Sequence, residues 1–280
     1  MTSIDRIATI YFFHPMARSL ARRVGIPILM YHSISDDARE DRDSYYATTT
    51  APAVFLDQMQ FLHAEGYRTV TLSEASRQFE SNLKPGSEKQ VVITFDDGFE
   101  DFYLNAVPAM QRFGFTATMY IATDYVGETT RRFKGRNCLT WSQVRELEAA
   151  GMSFGSHTAS HPQLHSVEIQ QVENEVRDSK KAIEDNLGHA IDSFCYPYAF
   201  PEQDESFTSN LRQMLTGCGY TQGVCTMVGI ADPQSDRLFL PRLPISSRDD
   251  SQFLRAKLEG GYDWLHSLQF AAKSLKSKFA

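Results

Sequence analysis

The segment that most restricts the fold of this chain is residues 91–95, Val-Val-Ile-Thr-Phe, which lacks the polar and apolar alternation of a half-exposed strand. This pattern is typical of a strand buried on both faces, as in parallel sheets that helices cover. Helical and strand-like segments alternate along most of the chain. Repeated units of this kind predict an α/β fold built on a parallel sheet or a barrel.

Local signals give approximate positions for the elements. Thr50-Ala51-Pro52 combines a capping residue with a proline in the first turn, so we expect a helix to begin there and to end at Gly66. A strand is predicted at residues 67–72, and Ser73 is expected to cap a short helix. Further helices are predicted at residues 102–113, 141–150, 167–187 and 205–215. Further strands are predicted at residues 26–34, 115–122, 152–155, 191–196 and 220–226.

Two short motifs contain the residue types of a hydrolytic metal site: Asp96-Asp97-Gly98 after the buried strand, and a histidine pair four residues apart. Zinc binds neutral imidazole nitrogens and carboxylate oxygens, and three protein ligands leave one position for water. We expect Asp97, His157 and His161 to be these ligands. The pKa of a zinc-bound water falls from about 15.7 to roughly 7. Asp96 is the natural base to deprotonate it.

The backbone around both motifs is expected to bend. Neighbouring side chains of a strand point to opposite faces, so Asp96 and Asp97 can serve one site only where the strand ends. Gly98 permits the turn that lets them converge, and Gly155 and Pro162 favour a bent histidine segment over a long helix. Each motif alone is compatible with a solvated turn or with surface histidines. Their joint occurrence at the ends of apolar strands favours the metal site.

Three motifs carry a resemblance to a known family: Thr94-Phe95-Asp96-Asp97-Gly98, His157-Thr158-Ala159-Ser160-His161-Pro162 and Tyr196-Pro197-Tyr198. From about residue 28 to residue 245, the chain resembles the polysaccharide deacetylase family, also called the NodB homology domain or carbohydrate esterase family 4. The resemblance implies an α/β fold of the distorted (β/α)7 barrel type, with catalytic residues at the carboxyl ends of strands. It also implies Asp96 as general base and Asp97, His157 and His161 as metal ligands.

One departure from the family pattern concerns an arginine that orients the catalytic base. The family carries it two residues before the proline of the third motif, where this chain has Cys195. Arg242, in Leu-Pro-Arg-Leu-Pro-Ile at residues 240–245, is the candidate replacement, because a guanidinium can hydrogen-bond the base and keep it ionised. An ordinary salt bridge at the barrel rim is the alternative role for Arg242.

A second departure concerns the histidine that protonates the leaving amine. The family usually has it in a Leu-x-His motif after the last strand, but His266 lies in a helical pattern. The apolar strand at residues 26–34 contains His32, and the chain resembles the subgroup that opens with Met-Tyr-His and closes with Arg-Leu-Pro-Ile. In that subgroup the acid histidine comes first, so His32 is the candidate general acid. A structural role for His32 is the alternative.

The resemblance implies hydrolysis of the N-acetyl group of an N-acetylhexosamine in a bacterial polysaccharide or its precursor. A backbone amide near Tyr198 would help to stabilise the oxyanion. Tyr198, Pro197 and Phe200 are expected to shape the sugar pocket, and Trp141 is expected either to stack on a sugar or to serve the core. The metal is expected to be Zn²⁺, with Co²⁺, Ni²⁺ or Fe²⁺ as alternatives. Other functions remain open: hydrolysis of a non-sugar amide or cyclic imide, or glycan binding without catalysis.

Charge and composition exclude other classes of protein. A net charge of −7 and a pI near 5.6, without a dense basic stripe, argue against nucleic-acid binding. The four cysteines show no Cys-x-x-Cys spacing. No signal peptide or membrane span is evident, which predicts a cytoplasmic protein. The oligomeric state is not predicted.

We expect three parts of the chain: an amino-terminal extension at residues 1–25, a catalytic barrel at residues 26–248, and carboxyl-terminal helices at residues 249–280. At 280 residues, one barrel domain with a full core is the expected organisation. Residues 262–279 alternate leucine and phenylalanine with lysine. This segment is expected to pack on the barrel, with contact to a membrane surface as the alternative.

Overall fold

The computed structural model describes residues 4–19, 25–36, 48–80, 88–268 and 270. Its strands are β1 (Ile28–Tyr31), β2 (Ser33–Ile34), β3 (Thr49–Thr50), β4 (Tyr67–Thr69), β5 (Lys89–Phe95), β6 (Thr118–Ile121), β7 (Arg132–Phe133), β8 (Arg136–Asn137), β9 (Ser153–Ser156), β10 (Ser193–Cys195), β11 (Gln222–Val228) and β12 (Leu240–Pro244). Its α-helices are α1 (Ile4–Ala8), α2 (His14–Ser19), α3 (Pro52–Ala64), α4 (Leu72–Glu80), α5 (Val107–Gln111), α6 (Trp141–Ala149), α7 (Ile169–Leu187), α8 (Glu205–Gly217) and α9 (Ser251–Leu258). There are also π-helical segments at Thr9–Phe13 and Phe102–Ala106, and 3-10 segments at Thr123–Tyr125 and Leu164–Ser166.

Seven parallel strands form a closed ring in the order β1, β12, β11, β10, β9, β6 and β5, because β1 pairs with both β12 and β5. β4 joins the amino-terminal half of β5, where Thr69 pairs with Val91, whereas β6 pairs with Thr94 and Phe95. This shared strand and a register shift between β11 and β12 distort the ring. The expected barrel of seven strands is confirmed.

The β5 strand is buried on both faces, as its composition predicts. Val91 and Ile93 belong to the main core, which also contains the apolar faces of the surrounding helices. Val92, between them, belongs to a second cluster with residues of neighbouring strands such as Tyr120 and Val224. The alternation of β5 between two apolar layers explains why its sequence carries no polar alternation.

Two predicted helix caps are wrong, although both helices exist. α4 begins at Leu72, and its capping residue is Thr71, which exchanges hydrogen bonds with Glu74, so the predicted cap Ser73 lies inside the first turn. α3 begins at Pro52 without a side-chain cap, because Thr50 belongs to β3. The sequence also did not predict β12 as a strand or the short antiparallel hairpin of β7 and β8.

The two ends of the described chain meet on the outside of the barrel. Residues 4–19 form one continuous helix from α1, a π-helical turn and α2. Residues 264–268 are also helical, and the Trp264 ring stacks on Phe13 with 4.7 Å between centroids. The rest of the predicted carboxyl-terminal helix lies outside the described residues. Within those residues, no helix has both the length and the apolar character that crossing a bilayer demands.

Candidate metal centre and active site

The predicted site residues meet at the carboxyl end of the barrel. His32 follows β1, Asp96 and Asp97 follow β5, His157 follows β9, and Tyr198 lies three residues beyond β10. Parallel barrel strands end at the same face, so residues distant in sequence are brought together there.

Asp97, His157 and His161 form a compact group of possible metal ligands. One donor atom from each lies within 4.8 Å of the others, and all three side chains are buried. The His161 Nε2 lies 3.1 Å and the His157 Nε2 3.7 Å from Asp97 Oδ1. The sequence-based prediction that these residues converge therefore agrees with the geometry.

The protonation states of the group suit a divalent cation. Burial lowers the pKa of His157 to about 3, so its imidazole is neutral, the form that binds metals. Its Nδ1 lies 2.9 Å from the Cys195 carbonyl oxygen, to which it donates, and this leaves Nε2 free to act as a ligand. Burial raises the pKa of Asp97, but the adjacent His161 imidazole and nearby positive charges hold it well below its usual range.

Two buried polar atoms of this group lack hydrogen-bond partners within the described part of the chain: Asp97 Oδ1 and His161 Nδ1. Buried polar atoms are normally satisfied. An unsatisfied carboxylate oxygen between two imidazoles is the donor set that zinc and related divalent ions accept. The residues present therefore fit such an ion.

Backbone strain is concentrated at this face. All non-glycine residues with positive φ among those described belong to it: Asp97, Lys134, Thr158, His161 and Tyr198. Asp97 (φ 74°) and Gly98 (φ 76°) form the turn that brings both aspartates to one site, as the sequence predicts.

The histidine loop is held by an acidic residue that the sequence did not single out. Glu175 on α7 is buried, and its Oε2 accepts hydrogen bonds of 2.8 Å from the backbone N–H groups of Ala159 and Ser160. The N–H of His161 donates to Thr158 Oγ1 at 3.0 Å. No sequence signal marks Glu175, because it lies in a helix rich in charged residues.

Asp96 is paired with Arg242 in the barrel interior. The guanidinium donates two parallel hydrogen bonds of 2.8 Å, one to each carboxylate oxygen. It also donates to the Cys225 carbonyl oxygen at 3.0 Å, to Thr94 Oγ1 at 3.1 Å and to Cys195 Sγ at 3.2 Å. Arg242 is only 1% exposed, so it does not form a rim salt bridge. The guanidinium thus reaches the base from β12, beside Cys195 on β10.

The charge state of Asp96 follows from this pair. Burial raises the pKa of Asp96, but the positive charge of Arg242 outweighs it and holds the pKa at about 2. The carboxylate is therefore ionised near neutrality. His32 Nε2 lies 3.9 Å from Asp96 Oδ2, and the pKa of His32 is lowered because its ring is largely removed from water.

Four residues were predicted to bind substrate, and Tyr198 is the only one of them with an exposed side chain. Its ring is 43% exposed and packs edge-on against His161 with 4.6 Å between centroids. Trp141 and Phe200 are 7% and 4% exposed and belong to the main core, and Pro197 is buried. For Trp141 the structure agrees with the core role, which was one of the two predicted alternatives. The pocket role of Phe200 is corrected to core packing, because its ring presents no face to solvent.

Lys134, at the tip of the β7–β8 hairpin, was not predicted to belong to the site. Its Nζ lies 3.1 Å from Asp97 Oδ2 and over the rings of Phe133 and Tyr198, at 4.6 and 5.6 Å from their centroids. The hairpin is brought here by tertiary contacts, so sequence spacing gives no signal for it. Lys134 places a positive charge beside the carboxylate that is expected to bind a cation.

We expect Lys134→Met to raise the affinity of the protein for Zn²⁺ by about fivefold, roughly 1 kcal/mol, because the ammonium competes for Asp97. Competition with a fluorescent chelator measures this affinity directly. Lys134→Arg, which keeps the charge, and Lys181→Met, which removes an exposed lysine on α7, are the matched controls. Unchanged or weaker zinc binding by Lys134→Met would contradict the competition.

Comparisons with a family model, with other protein sequences and with solved structures all find similarity to deacetylases. The family model described as "Polysaccharide deacetylase" matches residues 83–223. The chain is 32% identical over 221 residues to "Putative polysaccharide deacetylase YxkH" of Bacillus subtilis (strain 168), a match that covers 79% of this chain and 71% of that protein. Among solved structures, "Streptococcus pyogenes deacetylase PplD in complex with acetate" has a TM-score of 0.73 at 30% identity and covers 84% of this chain and 99% of that one.

More distant relatives carry a more specific name. The poly-beta-1,6-N-acetyl-D-glucosamine N-deacetylase of Staphylococcus epidermidis is 25% identical over 205 residues, which cover 69% of this chain and 66% of that protein. The Escherichia coli (strain K12) protein of the same name is 29% identical over 143 residues, and the match spans 48% of this chain and 20% of that protein.

Proposed function

The chain belongs to the polysaccharide deacetylase family, and from this premise we propose that it is a metal-dependent hydrolase that removes the N-acetyl group from an N-acetylhexosamine in a bacterial polysaccharide or its precursor. The relatives named poly-beta-1,6-N-acetyl-D-glucosamine N-deacetylases support this class of substrate. One observation carries the proposal: a buried, ionised Asp96 held by Arg242 lies directly beside the group formed by Asp97, His157 and His161.

Asp97, His157 and His161 would hold the divalent cation, for which we propose zinc. When bound, such an ion supplies Lewis acidity, which polarises an amide carbonyl and makes a coordinated water more acidic. The remaining steps depend on residues of the chain.

Asp96 is the proposed base, and Arg242 is the residue that positions it. Both carboxylate oxygens of Asp96 are fixed by the guanidinium, so the carboxylate has one orientation. Because its pKa is about 2, it is available as a proton acceptor for the attacking water throughout the neutral range. The Tyr198 N–H finds no acceptor within the described part of the chain and is available to the developing oxyanion.

His32 is the proposed proton donor to the leaving amine. The lowered pKa of His32 means that its ring begins neutral and becomes a strong acid once protonated. His32 Nε2 lies 3.9 Å from Asp96 Oδ2, so the two groups must approach by about 1 Å for His32 to receive the proton that Asp96 takes from the attacking water. His32 then passes this proton to the amine nitrogen as the C–N bond breaks. One water is consumed and one of its protons reaches the nitrogen, so the step gives acetic acid and the free amine. At neutral pH the acetic acid then loses its proton to the amine or to solvent and becomes acetate.

The test is acetate release from N-acetylglucosamine oligomers of β-1,6 and β-1,4 linkage by the purified chain, with and without a chelator. We expect release that a chelator abolishes and that added Zn²⁺ restores. A small cyclic imide serves as the competing substrate, because the same site can also attack a non-sugar amide. Turnover of the imide without acetate release from either glycan would reject the proposed substrate and favour that alternative.

Binding of a glycan without catalysis is the other function to be weighed. The argument for this function is that Cys195 stands where the family has the arginine that orients the catalytic base. Arg242 weakens this argument, because it supplies a guanidinium to the same carboxylate from another strand. We therefore favour the enzyme.

A further inference from the structure

The helix at residues 4–19 is held firmly against the outside of the barrel. Arg6 pairs with Asp250 at 2.5 Å near its beginning, and His14 lies 2.8 Å from Glu259 near its end. Between these pairs, the Trp264 indole donates to Thr9 Oγ1 at 3.0 Å. The orientation of the helix is therefore fixed, and one face always points away from the barrel.

That outward face is apolar. Ile4, Ile7, Tyr11, Phe12 and Met16 are 85%, 41%, 66%, 64% and 58% exposed. Their spacing places them along one side of the helix. A helix at a protein surface normally presents polar residues to water, whereas this helix is apolar on its outer side as well as at Ile10, which is buried in the core. Contiguous exposed apolar side chains of this kind mark interaction surfaces.

The carboxyl-terminal segment extends the same apolar surface. Trp264 stacks on Phe13, and beyond it Leu268 and Phe270 are 57% and 42% exposed. Seven of the ten large apolar side chains that are exposed in the described chain therefore lie in these two adjoining segments. We name this set, Ile4, Ile7, Tyr11, Phe12, Met16, Leu268 and Phe270, the terminal surface.

The two segments of the sequence that contain the terminal surface are basic, whereas the rest of the sequence is acidic. Residues 1–25 and 264–280 together contain seven of the 28 lysine and arginine residues but only one of the 35 acidic residues. Arg18 is 68% exposed, and its Nε lies 3.7 Å from Glu259 Oε2. In an otherwise acidic sequence, basic residues are thus concentrated in the segments that contain the exposed apolar residues.

We propose that the terminal surface binds the headgroup region of a lipid bilayer that contains anionic lipids. Apolar side chains of an amphipathic helix enter the boundary between headgroups and acyl chains, and neighbouring basic side chains attract anionic headgroups. Tyr11 is of the aromatic type that favours this boundary, and phenylalanine such as Phe12 is typical of the apolar face of interfacial helices. A second copy of the chain is a poorer occupant, because two basic segments would face each other.

The orientation that results would bring the active-site face close to the bilayer. Arg6 donates to the Arg248 carbonyl oxygen at 3.2 Å, and Arg248 lies in the loop that follows the carboxyl end of β12. The Ile4 end of the helix is therefore at the same end of the barrel as the catalytic residues.

The experiment is co-sedimentation of the full chain with vesicles of phosphatidylcholine alone and of phosphatidylcholine with about a third phosphatidylglycerol. We expect partition into the anionic vesicles that weakens at high salt. The triple variant Tyr11→Ser, Phe12→Ser, Met16→Gln is expected to bind at least tenfold more weakly, and Arg18→Glu to bind more weakly with unchanged apolar contacts. The double variant Leu104→Ser, Ile169→Ser removes apolar side chains that are exposed to a similar extent elsewhere and is the matched control.

Circular dichroism and the unfolding midpoint establish that each variant is folded. Absence of binding to anionic vesicles, or binding that the triple variant retains, would overturn the proposal. A dimer of the original chain that the triple variant dissociates, measured by light scattering, would also overturn it and would assign the terminal surface to self-association. None of these outcomes depends on deacetylase activity.

Discussion

Asp96→Asn is expected to lower kcat/KM for acetate release by about 10²–10⁴-fold while leaving zinc binding within a few-fold of the original value. The asparagine keeps the shape of the side chain but cannot accept a proton from water. Asp97, His157 and His161 remain in place, so the cation should still bind. Acetate release and chelator competition measure the two quantities separately.

The control for this prediction has to account for stability, because Arg242 loses a charged partner in Asp96→Asn. Asp249 forms a comparably buried ion pair with Lys257 at 2.6 Å, and neither residue belongs to the proposed site. Asp249→Asn should therefore lose stability but little activity. Equal losses of activity in both variants would show that Asp96 acts only through the fold, and near-normal activity of Asp96→Asn would remove it as the base.

The second large effect is expected for Arg242→Met, which should lower the free energy of unfolding by about 3–5 kcal/mol and abolish most of the activity. The change leaves the Asp96 carboxylate buried without a charged partner. Burial then raises the pKa of Asp96 above its ordinary value of 3.8, whereas Arg242 normally holds it at about 2.

The pH dependence of stability should change sign accordingly. In the original chain, the contribution of Asp96 to stability is fully present above pH 3.8 and is lost as the pH falls toward 2. In Arg242→Met, the raised pKa destabilises the neutral-pH protein, and protonation of Asp96 relieves this as the pH falls. Denaturant unfolding between pH 4 and 7 measures the slope, and a slope unchanged from the original chain would contradict the role of Arg242.

A variant that moves the arginine from position 242 on β12 to position 195 on β10 is a sharper control for the role of Arg242. Cys195 Sγ lies 3.2 Å from the Arg242 guanidinium, and the family motif carries its arginine at the Cys195 position. The double variant Cys195→Arg, Arg242→Ala is therefore expected to recover part of the activity that Arg242→Ala loses. Recovery of stability without recovery of activity would limit Arg242 to a structural role.

Short apolar runs separated by amphipathic helices predicted a parallel sheet or a barrel, and the family resemblance favoured the barrel. The ends of the elements were less predictable. α4 begins at Leu72 because Thr71 and Glu74 form a reciprocal cap, which competes successfully with Ser73. β12 was not predicted because two prolines interrupt its five residues.

The centre of the site could be predicted because its residues stand directly after strands, where barrel geometry brings them together. Lys134 and Glu175 could not, because one comes from a hairpin tip and the other from the middle of a helix. Phe200 was placed in the substrate pocket, and the role of Trp141 was left open between the pocket and the core. The burial of both rings depends on packing that spacing does not reveal. The His32 and Arg242 roles stay predictions until the variants are measured.

The position of β1 between β12 and β5 links the topology of the molecule to its chemistry. β1 is the strand whose two pairings complete the ring, and Arg242 on β12 reaches across it to Asp96 at the end of β5. The Arg242–Asp96 ion pair therefore links β12 to β5 across β1, and His32 directly follows the carboxyl end of β1. If β1 separated from β12 or β5, the proposed base Asp96, its positioning residue Arg242 and the proposed acid His32 would move apart together. The barrel must therefore stay closed at β1 for these three groups to act on one substrate.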